Sequence, residues 1–126
     1  MTIVLKDASD ANVTYNIYRK ESDRAEYIGP VHTDLSKDLL VVSSASPKQT
    51  SGSFGNRRSS ANYLKTVTVA DPAGVNVSRD LKVEIIVSMP AGVPFATLKE
   101  SLRRIATAAS TDDIATDLFH IGRVDR

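Results

Sequence analysis

The sequence predicts an α+β fold, in which an antiparallel sheet is followed by two helices. Apolar residues alternate with polar ones in several short segments up to Met89, and no helical pattern separates these segments. After Gly92 the apolar spacing changes to three and four residues. Strands without intervening helices form antiparallel sheets. The 126 residues suit one domain, which we divide into a hairpin (1–20), a sheet (21–90) and two helices (93–120).

Turn-forming residues separate the predicted strands. A hairpin is indicated by strands 2–6 and 13–19, which flank a polar loop. Further strands are predicted at 26–28, 38–46, 62–70 and 79–89, with a Gly/Ser-rich connection at 47–56 and a break at Asp71-Pro72-Ala73-Gly74. The last strand has the most regular alternation. Its second face carries Ile86, so we expect that something covers part of that face.

Two helices are predicted after residue 92. The first carries the stripe Phe95, Leu98, Leu102, Ile105 and Ala109, with Pro94 at its first position. Ser110 or Thr111 can cap the second, which has acidic residues in its first turn and ends at Gly122.

Two short helices cover little of such a sheet, and small domains have little core. We therefore expect an obligate homodimer that shares its helices and pairs at the open edge of strand 79–89. The predicted dimer interface comprises Leu81, Val83, Ile85, Phe95, Leu98, Leu102 and Ile105.

Composition excludes several classes of protein. The chain has no Cys, which rules out disulfides, Cys-based zinc sites and cysteine nucleophiles. No apolar run approaches the ~20 residues of a membrane span, and the N-terminus lacks the pattern of a signal peptide. We expect a soluble protein made inside the cell, with no cofactor, no metal, no membrane partner and no small-molecule substrate.

A catalytic site is hard to assemble from these residues. The sequence contains no metalloprotease, P-loop or dinucleotide-binding motif, and neither His32 nor His120 lies near a nucleophile elbow. His32 is interpreted as a loop histidine, and His120 as a cation that suits a helix C-terminus. Acidic residues that a metal would need are present at Asp112, Asp113 and Asp117. Helix capping explains the first two better, and the spacing is not that of an EF-hand.

The middle of the chain is the positive part. Residues 37–82 hold seven basic and three acidic residues, although the net charge of the whole chain is +1. In our assumed register, outward strand faces carry Ser44, Ser46, Thr66, Thr68 and Lys82, and Arg57 and Arg58 flank this region. Hydroxyl and basic side chains suit contacts with phosphates and base edges. Ser and Thr also suit a solvated strand face, and spacing alone leaves both interpretations open.

A family resemblance favours nucleic-acid binding. The segment from Ser78 to Pro90 (SRDLKVEIIVSMP), the preceding strands 39–46 and 62–69, and the hairpin 2–19 resemble coat proteins of single-stranded RNA bacteriophages of the levivirus type. The resemblance covers nearly the whole chain and lies in layout and strand patterning.

The resemblance implies a structural protein of the virion, assembled in the bacterial host cytoplasm. Family members form interlocked homodimers, in which the final strands meet edge to edge, and the dimers build an icosahedral shell. The inward sheet face binds genomic RNA, including a hairpin through which the coat represses replicase translation. The carried-over RNA positions are Ser44, Ser46, Thr66, Thr68 and Lys82. The inter-dimer assembly loop corresponds to Pro72, Ala73, Gly74, Val75, Asn76 and Val77.

Two residues depart from the expected pattern. Asp80 stands where the family places a base-stacking Tyr. An acidic side chain cannot stack on a base and repels phosphate, so general RNA packaging is favoured over hairpin recognition. The assumed register turns Lys65 toward the helices, which places it near the sheet margin or indicates a register slip. The alternatives are a non-viral dimeric RNA-binding module that forms no shell and a small hydrolase that uses a Ser with His120.

Overall fold

The computed structural model describes residues 2–124. The chain divides into two compact units. One extends to Ala91 and the other begins at Gly92.

The first unit is a single antiparallel sheet of six strands in sequence order. The strands are β1 (Thr2–Lys6), β2 (Asn12–Lys20), β3 (Arg24–Ile28), β4 (Asp38–Ala45), β5 (Asn56–Ala70) and β6 (Asn76–Pro90). Each pairs with the next along the chain, and β1 and β6 form the two edges. The predicted fold class and hairpin are confirmed. Neighbouring strands with short connections can pair only in the antiparallel sense.

The last two strands are longer than predicted. β5 begins at Asn56, six residues before its predicted start, and β6 begins at Asn76 instead of Arg79. The two strands are paired without interruption from Asn56 opposite Pro90 to Ala70 opposite Asn76. The polar start of β5 lacks the alternation that marks a half-buried strand, and its partners β4 and β6 hold it in the sheet. Asn76 and Val77, predicted as loop residues, therefore belong to a strand.

The core of the sheet unit is small. The buried apolar residues are Tyr15, Tyr27 and Val41, and the buried charged residue is Asp38, which is 4% exposed. Many other large apolar side chains of the described residues remain exposed. A chain with so little enclosed apolar surface is short of hydrophobic stabilisation as a lone subunit.

The second unit contains two helices, as predicted. α1 is Phe95–Ser110, and Pro94 precedes it as the N-cap residue instead of occupying its first turn. α2 starts at Asp112–Ile114 and continues with π-helical spacing over Ala115–Ile121, and Gly122 ends it at a φ of 85°. The Thr111 hydroxyl does not cap α2, because it donates back to the Thr107 carbonyl oxygen at 2.7 Å. Among the described residues, no helix has the length and apolar character needed to cross a membrane.

Candidate functional site

The strand register assigns side chains to two faces of the sheet, since residues opposite each other on antiparallel strands share a face. We call one the apolar face; on β4, β5 and β6 it includes Leu40, Val42, Tyr63, Leu81, Val83 and Ile85. We call the other the polar face; on the same strands it includes Ser43, Arg58, Ser60, Thr66, Lys82 and Glu84.

The structure brings together part of the predicted RNA-contacting set. Arg58, Thr66, Thr68 and Lys82 all lie on the polar face. Ser44 lies on the apolar face, opposite Ser59, so its predicted place beside Thr66 and Lys82 is wrong. The sequence correctly predicted that side chains alternate along β4. Which of them share a face with a given residue of β5 depends on how the two strands pair.

Two further predicted positions lie apart from the polar face. Arg57 lies on the apolar face, where its guanidinium approaches the Ser44 hydroxyl at 3.5 Å. Ser46 follows the end of β4 and is exposed, outside any strand.

Acidic groups offset part of the positive charge of the polar face. Lys82 Nζ lies 3.9 Å from a Glu84 carboxylate oxygen. Lys37 Nζ lies 3.3 Å from Asp80 Oδ2, and the Thr66 hydroxyl donates to Asp80 Oδ1 at 3.1 Å. All four charged groups are well exposed, so each pair contributes little stability and exchanges readily with solvent ions.

Sequence reasoning missed the serines at the centre of the polar face. The hydroxyls of Ser43 and Ser60 are 2.7 Å apart across β4 and β5. They line a hollow of about 260 Å³, to which Arg24 and Arg58 contribute basic groups and Asp23 and Glu84 acidic ones. Ser43 alternates with Ser44 along β4, so placing Ser44 on the outward face turned Ser43 away from it. Arg24 had no signal in the sequence, because β3 was predicted to start after it.

The apolar face of β6 is open. Leu81, Val83 and Ile85 are 48%, 52% and 44% exposed, and β6 is an edge strand of this sheet. Exposed apolar patches rimmed by polar residues mark association sites. Ile86, on the polar face, is 46% exposed, so the partial cover expected for it is not present in the described chain.

The apolar face contains one buried carboxylate among the described residues, that of Asp38. Asp38 Oδ1 accepts hydrogen bonds from the hydroxyls of Tyr15 at 2.6 Å and Tyr63 at 3.2 Å. Burial, and then the bond to Asp38, raise the pKa of the Tyr15 phenol far above its ordinary value. Lys65 lies directly across from Asp38, on the apolar face. The β4–β5 pairing differs by one residue from the assumed register, and this shift places Asp38 and Ser44 on the face of Lys65.

The residues of the other unit form a second exposed apolar surface. The predicted stripe of α1 is present, and Leu98 is half-buried whereas Phe95, Leu102 and Ile105 are exposed. A 16-residue amphipathic helix without a buried residue has an apolar stripe that remains free to pack against another surface.

The two histidines considered for catalysis, His32 and His120, lie in a loop and at a helix end. His32 Nδ1 accepts the backbone N–H of Asp38 at 3.1 Å, which fits its interpretation as a loop histidine. His120 lies exposed in the last turn of the π-helical segment. Within residues 2–124, no three His, Asp or Glu side chains form a group that could hold a metal ion.

These features define a class of protein: a small α+β subunit that presents an open sheet edge and an exposed apolar sheet face. Solved structures of the same architecture are virus-like particles. The virus-like particle of Wenzhou levi-like virus 4 is similar at a TM-score of 0.78 and 24% identity, covering 96% of this chain and 82% of that chain. The particle of bacteriophage AVE019 is similar at a TM-score of 0.77 and 12% identity, covering 99% and 97%. The particle of Beihai levi-like virus 32 is similar at 0.77 and 19% identity, covering 90% and 88%.

The chain has the coat-protein fold of levi-like viruses, as its sequence resemblance indicated. No protein-family model and no curated protein sequence matches it. At identities of 12–24% the likeness lies in strand order, lengths and the helices that follow, and few side chains are shared.

Proposed function

We propose that this protein is the coat protein of a single-stranded RNA phage, a structural protein without catalytic activity. The observation that carries the proposal is the likeness in fold, over 99% of the chain, to a subunit that forms a virus-like particle. The protein then resides in the virion, and its shell is assembled in the host cytoplasm.

The first assembly step is an interlocked homodimer. The edge of β6 supports this step, because a 15-residue strand with unpaired backbone groups is a template for a second copy. Edge-to-edge pairing of two such strands makes one continuous sheet. The helices of each subunit then cover the apolar face of the partner, and this packing buries Leu81, Val83 and Ile85 with the stripe of α1.

The polar face binds the packaged RNA. Arg58 supplies a cation in the sheet, and Thr66, Thr68 and Lys82 share its face. The serine pair Ser43 and Ser60 adds hydroxyl groups that suit sugar and phosphate contacts. Asp80 shares this face, and its acidic side chain cannot stack on a base, which favours general packaging over recognition of one hairpin and over translational repression.

Expression of the chain alone in bacteria tests the proposal. We expect closed particles tens of nanometres across by negative-stain microscopy, eluting early from a sizing column with a nucleic-acid-rich absorbance ratio. RNA inside closed particles resists added ribonuclease, whereas RNA bound to free dimers is degraded. The matched control is the same preparation disassembled before the nuclease is added.

Other outcomes contradict the proposal in distinct ways. A small dimer that binds RNA at low salt without forming particles indicates the non-viral RNA-binding module. A species free of nucleic acid, with ester or peptide hydrolysis lost in His120→Ala, indicates the hydrolase. Either result excludes the coat assignment.

A further inference from the structure

Two loops of the sheet share one architecture. The loop 71–75 joins β5 to β6, and Asp71 Oδ1 accepts hydrogen bonds from the backbone N–H groups of Ala73 and Val75, each at 2.9 Å. The Asp71 N–H donates to the Val75 carbonyl, and the Gly74 N–H donates to the Asp71 carbonyl, also at 2.9 Å. The side chain and backbone of Asp71 therefore form hydrogen bonds with most of the polar backbone groups of the loop.

The loop 7–11, between β1 and β2, repeats this pattern. Asp7 Oδ1 accepts the N–H groups of Ser9 and Ala11, each at 2.9 Å. Its backbone exchanges hydrogen bonds with Ala11 and Asp10 at 3.0 Å. The fourth residue of each loop has a positive φ, 60° at Asp10 and 80° at Gly74. Both loops have five residues with an Asp first, and their backbones share the same hydrogen-bond pattern.

The surfaces that the two loops present differ. The tip of loop 71–75 consists of Pro72, Ala73, Gly74 and Val75, which are all exposed and uncharged. Loop 7–11 exposes Ser9 and Asp10 instead. The charged residue of loop 71–75 is Asp71, and its carboxylate is hydrogen-bonded to backbone amides of the loop. A rigid apolar tip is a contact surface, whereas a rigid acidic tip repels its own copies.

We propose that Asp71 is a positioning residue for shell assembly: its carboxylate holds the tip Pro72–Val75 in the shape with which neighbouring dimers meet. The inference rests on the proposed function. A tip that is already ordered loses little conformational entropy when it forms a contact. Without the Asp71 carboxylate, the amides of Ala73 and Val75 lose their acceptor and the loop samples several shapes. Contacts then form in several geometries, and the particles lose uniform size.

The experiment compares Asp71→Ala with three proteins: the wild type, Asp71→Asn, which keeps an Oδ1 acceptor, and Asp7→Ala, which makes the same change in the matched loop. Particle size distribution and yield are measured by light scattering and electron microscopy. Amide hydrogen exchange at residues 73 and 75 of the unassembled protein reports loop order without assembly. We expect Asp71→Ala to exchange about tenfold faster there, the scale of a lost hydrogen bond, and to form fewer particles of broader size. The other two variants assemble like the wild type.

The outcomes separate this inference from the proposed function. An absence of particles from the wild type overturns the proposed function and this inference together. Wild-type particles with an unchanged size and yield in Asp71→Ala overturn only the inference. Equal defects in Asp7→Ala and Asp71→Ala also overturn it, because the effect then comes from hairpin stability. A defect in Asp71→Asn equal to that of Asp71→Ala overturns the role of the acceptor, and this test holds even if Asp71→Ala does not fold.

Discussion

Arg57 and Arg58 are neighbours in the sequence and lie on opposite faces of the sheet. Arg57 approaches the Ser44 hydroxyl on the apolar face. Arg58 lies on the polar face, between Ala45 of β4 and Ser88 of β6. Successive side chains of a strand point to opposite sides, so this relationship follows directly from the inclusion of both residues in β5.

The arginine pair provides a matched test of the RNA-binding face. We expect Arg58→Gln to lower the RNA content of particles and to reduce the salt dependence of RNA binding by about one phosphate contact. Arg57→Gln has the same change in charge and is expected to bind RNA like the wild type. RNA per particle and the slope of binding against salt concentration measure both effects. Equal losses in the two variants would exclude the polar face as the specific RNA surface.

Ile85 and Ile86 provide a similar test of the dimer interface. They are nearly equally exposed, on the apolar and polar faces respectively. An Asp at position 85 places an unpaired carboxylate in the proposed interface, which costs at least ~3 kcal/mol and weakens dimerisation more than about 100-fold. Ile86→Asp is expected to leave the dimer intact. Light scattering coupled to a sizing column gives the mass of each variant, and a dimeric Ile85→Asp protein would contradict the proposed packing.

The hydrogen bond from Tyr15 to the buried Asp38 stabilises the sheet unit. Tyr15→Phe keeps the ring and removes one donor to the carboxylate, so we expect a loss of about 1.5–3 kcal/mol in the free energy of unfolding. Tyr63→Phe removes a longer bond, 3.2 Å against 2.6 Å, and is expected to lose less. Urea denaturation of the unassembled protein measures both. The reverse order of the two losses would show that Tyr63 is the main partner of Asp38.

Tyr15 also makes the stability of the folded protein decrease at alkaline pH. Burial, and then the hydrogen bond to Asp38, raise the pKa of Tyr15 above its ordinary value of 10.0. The unfolded chain therefore releases this proton at a lower pH than the folded chain does. The stabilising contribution is complete below pH 10 and is lost as the pH rises above it. Stability measured between pH 9 and 11 should fall less steeply in Tyr15→Phe than in the exposed control Tyr18→Phe. Parallel curves would exclude a special role for Tyr15.

Gly29 makes room for the Asp38 carboxylate. A methyl group at this position would overlap Asp38 Oδ2 and lie 2.9 Å from the Tyr15 ring. Gly29→Ala is therefore expected to destabilise the sheet unit by about 1–3 kcal/mol. Gly52→Ala meets nothing within 4 Å and is expected to change stability by less than about 1 kcal/mol. Thermal unfolding compares the two variants, and similar melting temperatures would show that Asp38 can move aside.

The sequence predicted most elements because their signals are local. Alternation over 79–89 marked most of β6, and the spacing of Phe95, Leu98 and Leu102 marked α1. Signals failed where long-range pairing decides the structure. The polar start of β5 has no alternation of its own, and its pairing with two neighbouring strands makes it part of the sheet.

By itself, the sequence determined the antiparallel α+β architecture and the two helices, because periodicity and turn chemistry act over a few residues. The resemblance to coat proteins was a separate observation, which lay in the layout of these elements. Only the tertiary structure decided which side chains share a face. In the structure Ser44 lies on the apolar face, and Ser43 and Ser60 lie together on the polar face. Asp38 is buried and accepts hydrogen bonds from two tyrosines. Strand register sets these relations, and register depends on contacts between residues far apart in the chain.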